Sequence, residues 1–434
     1  MEKEHKIRLS QTMIVKNEEN NMKSALSWGK NIVIEQIVVD TGSTDHTVEI
    51  ATTLGAKVEH FDWIDDFAAA KNFALDQCKG AWIAILDADE YFSEEDAGKL
   101  PGIIEKAEKE GCCAIETGWV NIDGKGGVID RYTQIRIIKN IKGLRYKRRI
   151  HEILDFKPGQ AAYDASGELN IIHTGYIEEI AQNKNKRERN LKLLLKELEV
   201  NKNDPEILGY IADDYAYSDH DKAIEFYRKA VAQLPEKVDR KDARTATTFT
   251  KLIILLSLEN STSDVKDICR IAEEKMPDNS NFIYYTGLYF YNKKDFKTAA
   301  AYYQRAFKKF EAQNGKYSEL WVDKLHLAYA QYGHILLESG DIKGAVAIEG
   351  SVLRGNKKEY LALKTLLKAF SLSKVPEQMV IDYLKKIYNL SQSLDKLLVY
   401  KASDESDFTG VKEYIYTLLD DKEKTVILKR CVTV

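Results

Sequence analysis

Two carboxylates that directly follow an apolar run constrain the fold of this chain more than any other feature. Residues 81–85 are apolar and partly β-branched, which is typical of a strand buried on both faces of a parallel sheet. Leu86, Asp87, Ala88 and Asp89 come next, so both carboxylates lie at the carboxyl end of the strand, where open α/β sheets bind ligands. Such side chains can hold a hard divalent cation and its phosphates. Alone, an Asp-x-Asp sequence is more typical of a helix cap or a solvated turn.

The residues before this motif alternate between strand and helix patterns. Strands are predicted at 8–15, 36–39 and 57–60, and helices at 22–28, from 47 onward and at 67–78. This alternation predicts a parallel sheet with right-handed crossovers, so the polar residues after each strand meet at one edge. Gly42 permits a tight turn there, and Thr44 or Asp45 can cap the helix that begins near Thr47, whose first amides can face an anion.

Four short motifs, at 13–18, 39–47, 69–72 and 86–90, together resemble the donor half of family 2 glycosyltransferases with the GT-A fold. The resemblance implies an inverting transferase that uses a nucleotide-activated sugar, most often a UDP-sugar, with Mn²⁺ or Mg²⁺. It implies that Asp40 contacts the uracil or ribose, Asp87 the ribose or sugar, and Asp89 the metal. The residues predicted for the nucleotide-sugar site are Val15, Asn17, Glu18, Asp40, Gly42, Ser43, Lys71, Asn72, Asp87, Ala88 and Arg149.

A divalent cation suits the chemistry that this resemblance implies. The diphosphate leaving group gains charge as the glycosidic bond breaks, and a cation neutralises that charge without proton transfer. Mg²⁺ and Mn²⁺ commonly take one or two carboxylates, and phosphate and water supply the remaining ligands. Asp89 is therefore sufficient as the carboxylate ligand. For Asp40, a cap on the turn is an alternative role that can coexist with nucleotide binding.

The acceptor half is predicted from residues 114–176. Strand patterns at 114–120 and 128–138 flank a Gly-rich turn, which is a hairpin signal. The stretch 139–149 then carries six basic residues in eleven, a pattern typical of a solvated loop or of a phosphate or acceptor clamp. Short motifs between 131 and 176 resemble bacterial peptide S-glycosyltransferases that modify bacteriocins, of the sublancin type.

This second resemblance implies that His151, Glu152 and His173 are active-site residues. An inverting displacement needs a base on the acceptor, and either Glu152 or His151 could supply it. His173 is the candidate second metal ligand. For each histidine, a structural role with satisfied hydrogen bonds is the alternative.

From residue 178 onward, helical patterns repeat and strand patterns disappear. A small-aromatic-small spacing recurs at Ala223, Tyr227 and Ala230 and at Ala299, Tyr303 and Ala306. This spacing lets paired helices approach, and it resembles a tetratricopeptide array. The chain is therefore predicted to be an α/β GT-A (Rossmann-like) nucleotide-sugar domain at 1–177 followed by an all-α tetratricopeptide-like solenoid at 178–434. Most aromatic residues of the array are predicted to pack in its core, while some could hold an extended peptide or the second subunit of a homodimer.

Composition excludes several classes of function. With 44% hydrophobic and 30% charged residues and a formal net charge of −4, the chain is not expected to bind nucleic acid. Residues 1–6 lack the apolar core of a signal peptide, and no run is long enough to span a bilayer, so we predict a cytoplasmic protein without integral membrane association. Five cysteines without metal spacing are expected to be reduced.

These features favour an inverting transferase that moves a hexose or N-acetylhexosamine from a UDP-sugar to a Cys, Ser or Thr side chain of a peptide or protein. One alternative is a transferase that extends a cell-surface glycan or lipid-linked sugar, which the absence of a membrane segment disfavours. Another is a non-catalytic repeat scaffold, which the presence of both Asp87 and Asp89 disfavours.

Overall fold

The computed structural model describes residues 8–174, 176–239, 242–312 and 320–431, without the side chains of 176–185, 426 and 428–431. The chain divides into two compact units, Met1–Lys202 and Asn203–Val434. This division lies later than the predicted 177/178 boundary, because the helix Tyr176–Val200 belongs to the first unit. Leu193 and Leu194 of that helix are buried, and Glu197 accepts a hydrogen bond from the backbone of the first unit. Residues 1–6, whose composition argues against a signal peptide, lie outside the described residues.

The first unit is an α/β domain. Its strands are β1 Leu9–Val15, β2 Glu35–Asp40, β3 Lys57–His60, β4 Trp82–Ile85, β5 Glu90–Phe92, β6 Ala114–Ile122, β7 Val128–Lys139, β8 Tyr146–Lys147, β9 Ile153–Leu154, β10 Ala162–Asp164 and β11 Asn170–His173. Its helices are α1 Met22–Ser27, α2 Thr47–Thr53, α3 Phe67–Asp76, α4 Glu94–Lys109 and α5 Tyr176–Val200. The strands and helices predicted up to residue 138 are all present, with ends that differ by at most two residues.

One mixed sheet carries most of these strands, in the order β3-β2-β1-β4-β7-β6-β11-β5, with β10 beside β6. Strands β1 to β4 are parallel to one another, whereas β7 runs antiparallel to both β4 and β6. The carboxyl ends of β1, β2 and β4 therefore meet at one edge, as predicted. Every residue of β4 is buried, which explains its continuous apolar sequence.

The register of four neighbouring strands aligns a row of polar side chains. Glu90 pairs with His173, His173 with Asn121, and Asn121 with Asp130, across β5, β11, β6 and β7. Because residues that are paired across strands lie on the same face of a sheet, these four side chains share one face.

A β-bulge interrupts the β6–β7 ladder at Arg136. Ile115 pairs with Ile137 and Glu116 pairs with Ile135, so Arg136 is the extra residue on β7. An extra residue of this kind re-aims its side chain relative to the regular strand, and such bulges are frequent beside functional sites.

The second unit is all-helical. Its helices are α6 Pro205–Tyr215, α7 His220–Ala232, α8 Ala243–Leu258, α9 Thr262–Lys275, α10 Asn281–Asn292, α11 Phe296–Ala312, α12 Leu325–Glu338, α13 Ile342–Gly355, α14 Tyr360–Leu372, α15 Glu377–Lys385, α16 Ser393–Glu405, α17 Thr409–Thr417 and α18 Asp421–Cys431. Helices pack in the pairs α6–α7, α8–α9, α10–α11, α12–α13 and α16–α17. Helix α6 also contacts α8, α8 contacts α10, α12 contacts α14, and α14 contacts α16. The small-aromatic-small residues of α7 and α11 are all buried. Together with the α/β unit, this confirms the predicted fold class.

Close helix contacts in the second unit depend on a small residue at Gly287. A Cβ atom at this position would lie 3.0 Å from the Tyr303 ring and 3.1 Å from Tyr302 Cβ. The predicted core packing of the array aromatics holds for Tyr284 and Tyr303, which are 1% and 0% exposed.

The described residues hold no helix that is long and apolar enough to cross a membrane. Cys78, Cys112, Cys113 and Cys269 are buried free thiols, and burial raises the pKa of Cys78 to about 12. The side chain of Cys431 lies outside the description.

Candidate active site

Asp40 closes a turn at the carboxyl end of β2. Its carboxylate oxygens accept hydrogen bonds from Gly42 N at 3.1 Å and from Ser43 N at 3.0 Å, and His60 Nδ1 lies 3.4 Å away. Burial raises the pKa of Asp40, but these hydrogen bonds outweigh burial and lower it. Gly42 has φ +105°, a conformation in which other residues are strained. Asp40 therefore caps this turn as an anion, and its contact with a nucleotide stays a prediction.

The loop after β1 is joined to the same turn. Asn17, with φ 58°, donates its backbone N–H to Ser43 Oγ at 2.9 Å, and Glu18 N donates to Thr47 Oγ1 at 2.7 Å. These bonds hold the two loops together as one rim at the edge of the sheet. The predicted nucleotide-sugar residues that the rim brings together are Val15, Asn17, Glu18, Asp40, Gly42 and Ser43.

Asp87, at the end of β4, lies between two cations. Arg136 Nη2 is 2.7 Å from Asp87 Oδ2 and 2.5 Å from Glu90 Oε1. Lys71 Nζ, on α3, is 3.7 Å from Asp87 Oδ1 and 2.9 Å from Glu152 Oε1. The side chain of Asp87 remains 41% exposed, so a ligand can reach its carboxylate.

The charges of this cluster are mutually dependent. Burial lowers the pKa of Lys71, but Asp87 and Glu152 together raise it well above its ordinary value. Desolvation raises the pKa of Asp87, but Arg136 and Lys71 hold it well below its usual range. For Glu90, burial dominates and raises the pKa despite the guanidinium beside it. Lys71 and Arg136 are therefore cations beside an ionised Asp87.

Tyr146 lies against the same cluster. Lys71 Nζ is 5.5 Å from the centroid of its ring, and among the described residues its buried hydroxyl has no hydrogen-bond partner. Asn72 Nδ2 donates to Tyr146 O at 2.9 Å, and Asn72 Oδ1 accepts from Tyr146 N at 2.8 Å. Asn72, predicted to bind the nucleotide-sugar, therefore uses its amide to hold the backbone of Tyr146.

Asp89 faces a histidine from β11. His173 Nε2 is 3.1 Å from Asp89 Oδ2, and His173 Nδ1 is 2.5 Å from Asn121 Oδ1. Asn121 Nδ2 in turn donates to Asp130 Oδ1 at 2.6 Å. The structure thus brings together the two residues predicted to hold a metal.

Trp119 links the Asp89 and Asp87 clusters. Its ring stacks on His173 with centroids 4.3 Å apart, and its Nε1 donates to Glu90 Oε1 at 2.9 Å. Because Glu90 also contacts Arg136, one continuous set of contacts runs from Asp89 to Lys71.

The donor atoms beside Asp89 fit a hard divalent cation. The described residues contain no group of three or more His, Cys, Asp or Glu side chains arranged to hold a metal. Asp89 Oδ2 and His173 Nε2 face each other, which is an oxygen and nitrogen pair that Mn²⁺ or Mg²⁺ can share when phosphate and water supply the other ligands. The residues present are therefore compatible with the predicted cofactor.

The loop 148–152 carries three predicted site residues, Arg149, His151 and Glu152, and each has a different environment. Glu152 lies inside the cluster through Lys71, and its side chain is 14% exposed. His151 is exposed and has φ 52°, an uncommon conformation for a non-glycine residue. Arg149 N donates to Glu197 at 2.9 Å, and Arg149 Nη1 lies 3.7 Å from Asp66, the residue that caps α3. Arg149 is thus positioned at the start of α3.

Two cations of the basic run 139–149 form ion pairs with carboxylates of the same unit. Arg145 Nη2 is 2.6 Å from Asp76 Oδ1, and Lys147 Nζ is 2.7 Å from Asp155 Oδ1. These contacts favour the structural interpretation for these two cations, and a phosphate or acceptor clamp stays a prediction.

Five residues of the site were not among the predicted ones: Glu90, Trp119, Asn121, Arg136 and Tyr146. Three of them stood in motifs without an assigned role: Glu90 directly follows Asp89, and Arg136 and Tyr146 lie in the stretch 131–176 that resembles the acceptor half. Arg136 reaches Asp87 through a bulge, and Asn121 reaches His173 through strand register, and neither feature is visible in the sequence.

Comparison with known proteins gives matches over the first unit and beyond. Residues 10–180 match Glycosyl transferase family 2. A TPR repeat-containing protein of Synechococcus elongatus is 36% identical over 147 residues, which are 34% of this chain and 35% of that protein. The SPbeta prophage-derived glycosyltransferase SunS of Bacillus subtilis is 24% identical over 269 residues, which are 61% of this chain and 62% of SunS.

Residues 1–349 of S. aureus TarS align with 66% of this chain and 92% of theirs, at 13% identity and a TM-score of 0.34, which is too low to establish a common fold. The chain spans about a third of the cyanobacterial relative and less than two thirds of SunS.

Proposed function

We propose that this chain, whose residues 10–180 form a family 2 glycosyltransferase domain, moves a hexose or N-acetylhexosamine from a UDP-sugar to a Cys, Ser or Thr side chain of a peptide or protein, with inversion. The observation that carries the proposal is that Asp87 and Asp89, two residues apart after β4, have different neighbours. Asp87 is ionised between Lys71 and Arg136, whereas Asp89 faces His173. A nucleotide-sugar needs one carboxylate that accepts hydrogen bonds from its hydroxyls and another that holds the cation beside its diphosphate.

The rim formed by the loops after β1 and β2 supports the donor side of the proposal. Asp40 is ionised and ordered by the turn, so its carboxylate can accept a hydrogen bond from uracil N3–H or a ribose hydroxyl. Asp87 is exposed enough to accept from the ribose or the sugar. Both contacts are directional, and neither neutralises the diphosphate.

Asp89 and His173 would hold the Mn²⁺ or Mg²⁺ ion. When bound, the cation neutralises charge on the departing diphosphate. The chain itself adds the positive charges of Lys71 and Arg136, which are both nearly buried. Because these charges are already in place, little solvent has to rearrange as negative charge develops on the diphosphate. These two residues also keep Asp87 ionised and in place.

Glu152 is the better placed of the two candidate bases. It lies beside Lys71 in the enclosed cluster, whereas His151 is exposed. In the proposed step, the acceptor thiol or hydroxyl gives its proton to a Glu152 oxygen. The sulfur or oxygen of the acceptor then forms a bond to C1 of the sugar. The bond between C1 and the diphosphate oxygen breaks, and UDP leaves with the electron pair.

A polypeptide acceptor is supported by two features. The stretch 131–176 resembles peptide S-glycosyltransferases, and SunS is a relative over 61% of the chain. The second unit is a tetratricopeptide-like array, an architecture whose stacked helices present extended binding surfaces.

Intact mass spectrometry of the full chain's products tests the proposal. The chain is incubated with Mn²⁺, a panel of UDP-sugars and peptides that differ only in carrying Cys, Ser or Thr. The mass added to the peptide identifies the sugar, and fragmentation identifies the residue. The Asp87→Asn/Asp89→Asn double variant is the matched control and is expected to give no product.

Transfer to a glycan or lipid-linked sugar, with no peptide modified, would replace the peptide acceptor by the glycan alternative. Failure of the wild-type chain to bind any UDP-sugar would favour a non-catalytic scaffold.

A further inference from the structure

The orientation of the Asn121 amide is fixed by Asp130. Asn121 Nδ2 lies 2.6 Å from Asp130 Oδ1, and a carboxylate can only accept, so the NH₂ end of the amide faces Asp130. The oxygen of Asn121 therefore faces His173 Nδ1, at 2.5 Å. Asn121 is 5% exposed, so water offers it little alternative pairing.

This orientation decides which nitrogen of His173 carries the proton. Because Asn121 Oδ1 is an acceptor, His173 Nδ1 must donate to it. In the neutral imidazole, Nε2 then carries a lone pair, and it faces Asp89 Oδ2 at 3.1 Å. Two acceptors at this distance repel each other unless both of them contact a shared proton or cation.

We infer that Asp130 and Asn121 are positioning residues that hold His173 in the Nδ1–H form, so that His173 Nε2 and Asp89 present two lone-pair donors to a divalent cation. The inference rests on the proposed metal-dependent function and names residues beyond the two ligands. Hydrogen bonds to the second nitrogen of a ligating histidine fix its tautomer and orientation in the same way in other metal sites.

Asp130, Asn121 and His173 form a hydrogen-bonded relay, and the surrounding contacts leave its side chains little freedom. Tyr132 donates its hydroxyl to Asp130 Oδ2 at 3.2 Å, so both carboxylate oxygens of Asp130 are engaged. Trp119 stacks on the His173 ring at 4.3 Å and restricts its tilt. The strand register places Asn121 opposite both His173 and Asp130, so the sheet itself puts the amide between the imidazole and the carboxylate.

Two variants separate a directional relay from a simple brace. In Asp130→Ala, the Asn121 amide loses the acceptor that orients it and can turn its NH₂ toward His173. In the exchanged pair Asn121→Asp/Asp130→Asn, Asp at 121 accepts from His173 Nδ1–H, and Asn at 130 donates to it, so the direction of the relay is restored. Asp123→Ala is the matched control, because Asp123 accepts from Gly127 N in the turn of the same hairpin.

The first measurement is Mn²⁺ affinity, by electron paramagnetic resonance in the presence of UDP. We expect Asp130→Ala to weaken Mn²⁺ binding by about ten- to a hundredfold, as for other residues that support a metal-bound histidine. The exchanged pair and Asp123→Ala are expected to stay close to wild type. UDP affinity in the presence of a chelator should be equal in all four proteins, which shows that the rim is intact.

The second measurement is the His173 tautomer, by two-bond ¹H–¹⁵N NMR correlation in metal-free protein at a pH where the ring is neutral. We expect Nδ1–H in the wild type and in the exchanged pair, and Nε2–H in Asp130→Ala. Unchanged Mn²⁺ affinity and tautomer in Asp130→Ala, or failure of the exchanged pair to recover, would overturn the inference. A wild type that binds no Mn²⁺ but shows the expected tautomers would instead remove the metal from the proposed function.

Discussion

Arg136 Nη2 lies 2.7 Å from Asp87 Oδ2, although the two residues belong to different strands and Arg136 has no partner on β6. The bulge that displaces Arg136 from the ladder is what makes this contact, and the same nitrogen lies 2.5 Å from the buried Glu90. The first carboxylate of the Asp-x-Asp motif is therefore supported by a residue almost fifty positions later in the chain.

Arg136→Met is expected to destabilise the first unit. It leaves Glu90, which is 1% exposed, without its cation, and removing one partner of a buried ion pair typically costs about 3–5 kcal/mol. Urea unfolding followed by tryptophan fluorescence measures the loss, since four of the five tryptophans lie in the first unit. The Arg136→Met/Glu90→Gln variant should regain part of this stability, and a single variant as stable as wild type would contradict the role assigned to Arg136.

Asp89→Asn is expected to reduce transfer roughly a thousandfold, which corresponds to about 4 kcal/mol of transition-state stabilisation. Stability should change little, because the side chain is 28% exposed and its backbone bonds to Thr174 remain. Steady-state rates with Mn²⁺, together with a thermal melt, separate the two effects. Near wild-type transfer by a folded variant would show that Asp89 does not hold the metal.

Glu152→Gln and His151→Ala distinguish the two candidate bases. A thiol has a pKa of about 8.5, so part of it is already ionised near neutral pH, whereas a hydroxyl depends on the base. We expect Glu152→Gln to slow a Ser peptide much more than the matching Cys peptide, and higher pH to recover part of the Cys reaction. His151→Ala should change little.

Transfer rates for both peptides between about pH 6 and 9 provide the comparison. Equal losses on both acceptors at every pH would mean that Glu152 positions Lys71 or substrate, and the base must then be sought elsewhere in the site.

Glu349, in α13, predicts a pH dependence of stability. Its carboxylate is 0% exposed, and burial, followed by the charge of Glu359, raises its pKa to about 9 although Thr365 lowers it. The folded protein therefore keeps a proton that the unfolded chain releases above about pH 4.5. The contribution of Glu349 to stability is therefore fully present below that pH, and it is lost by roughly 1 kcal/mol per pH unit as pH rises toward 9.

Urea unfolding followed by far-ultraviolet circular dichroism, at several pH values, measures this slope for the helical unit. Glu349→Gln should flatten it and should be more stable than wild type at pH 8, while Glu338→Gln, at a half-exposed position, keeps the slope. Parallel slopes in wild type and Glu349→Gln would rule out Glu349 as the origin.

The elements of the site could largely be predicted. Strand ends follow from apolar periodicity, so Asp40, Asp87 and Asp89 could be assigned to one edge of a parallel sheet from the order of residues alone. Gly42, at positive φ, marked the turn after β2, because few other residues tolerate that conformation.

The partners of those residues could not be predicted in the same way. Asn72 and Arg149 belong to motifs, yet one holds the backbone of Tyr146 and the other lies at the start of α3. Both contacts join segments that are more than seventy residues apart, and motif spacing carries no information about such pairings.

The sequence by itself determined the fold class, the edge at which the carboxylates gather and the change from an α/β unit to helical pairs, since all three depend on local periodicity and turn chemistry. Only the tertiary structure decided that Arg136 contacts Asp87 and that Asn121 lies between Asp130 and His173. Strand register and a single bulge set these contacts. A shift of one residue in either strand would turn the same side chains to the opposite face of the sheet.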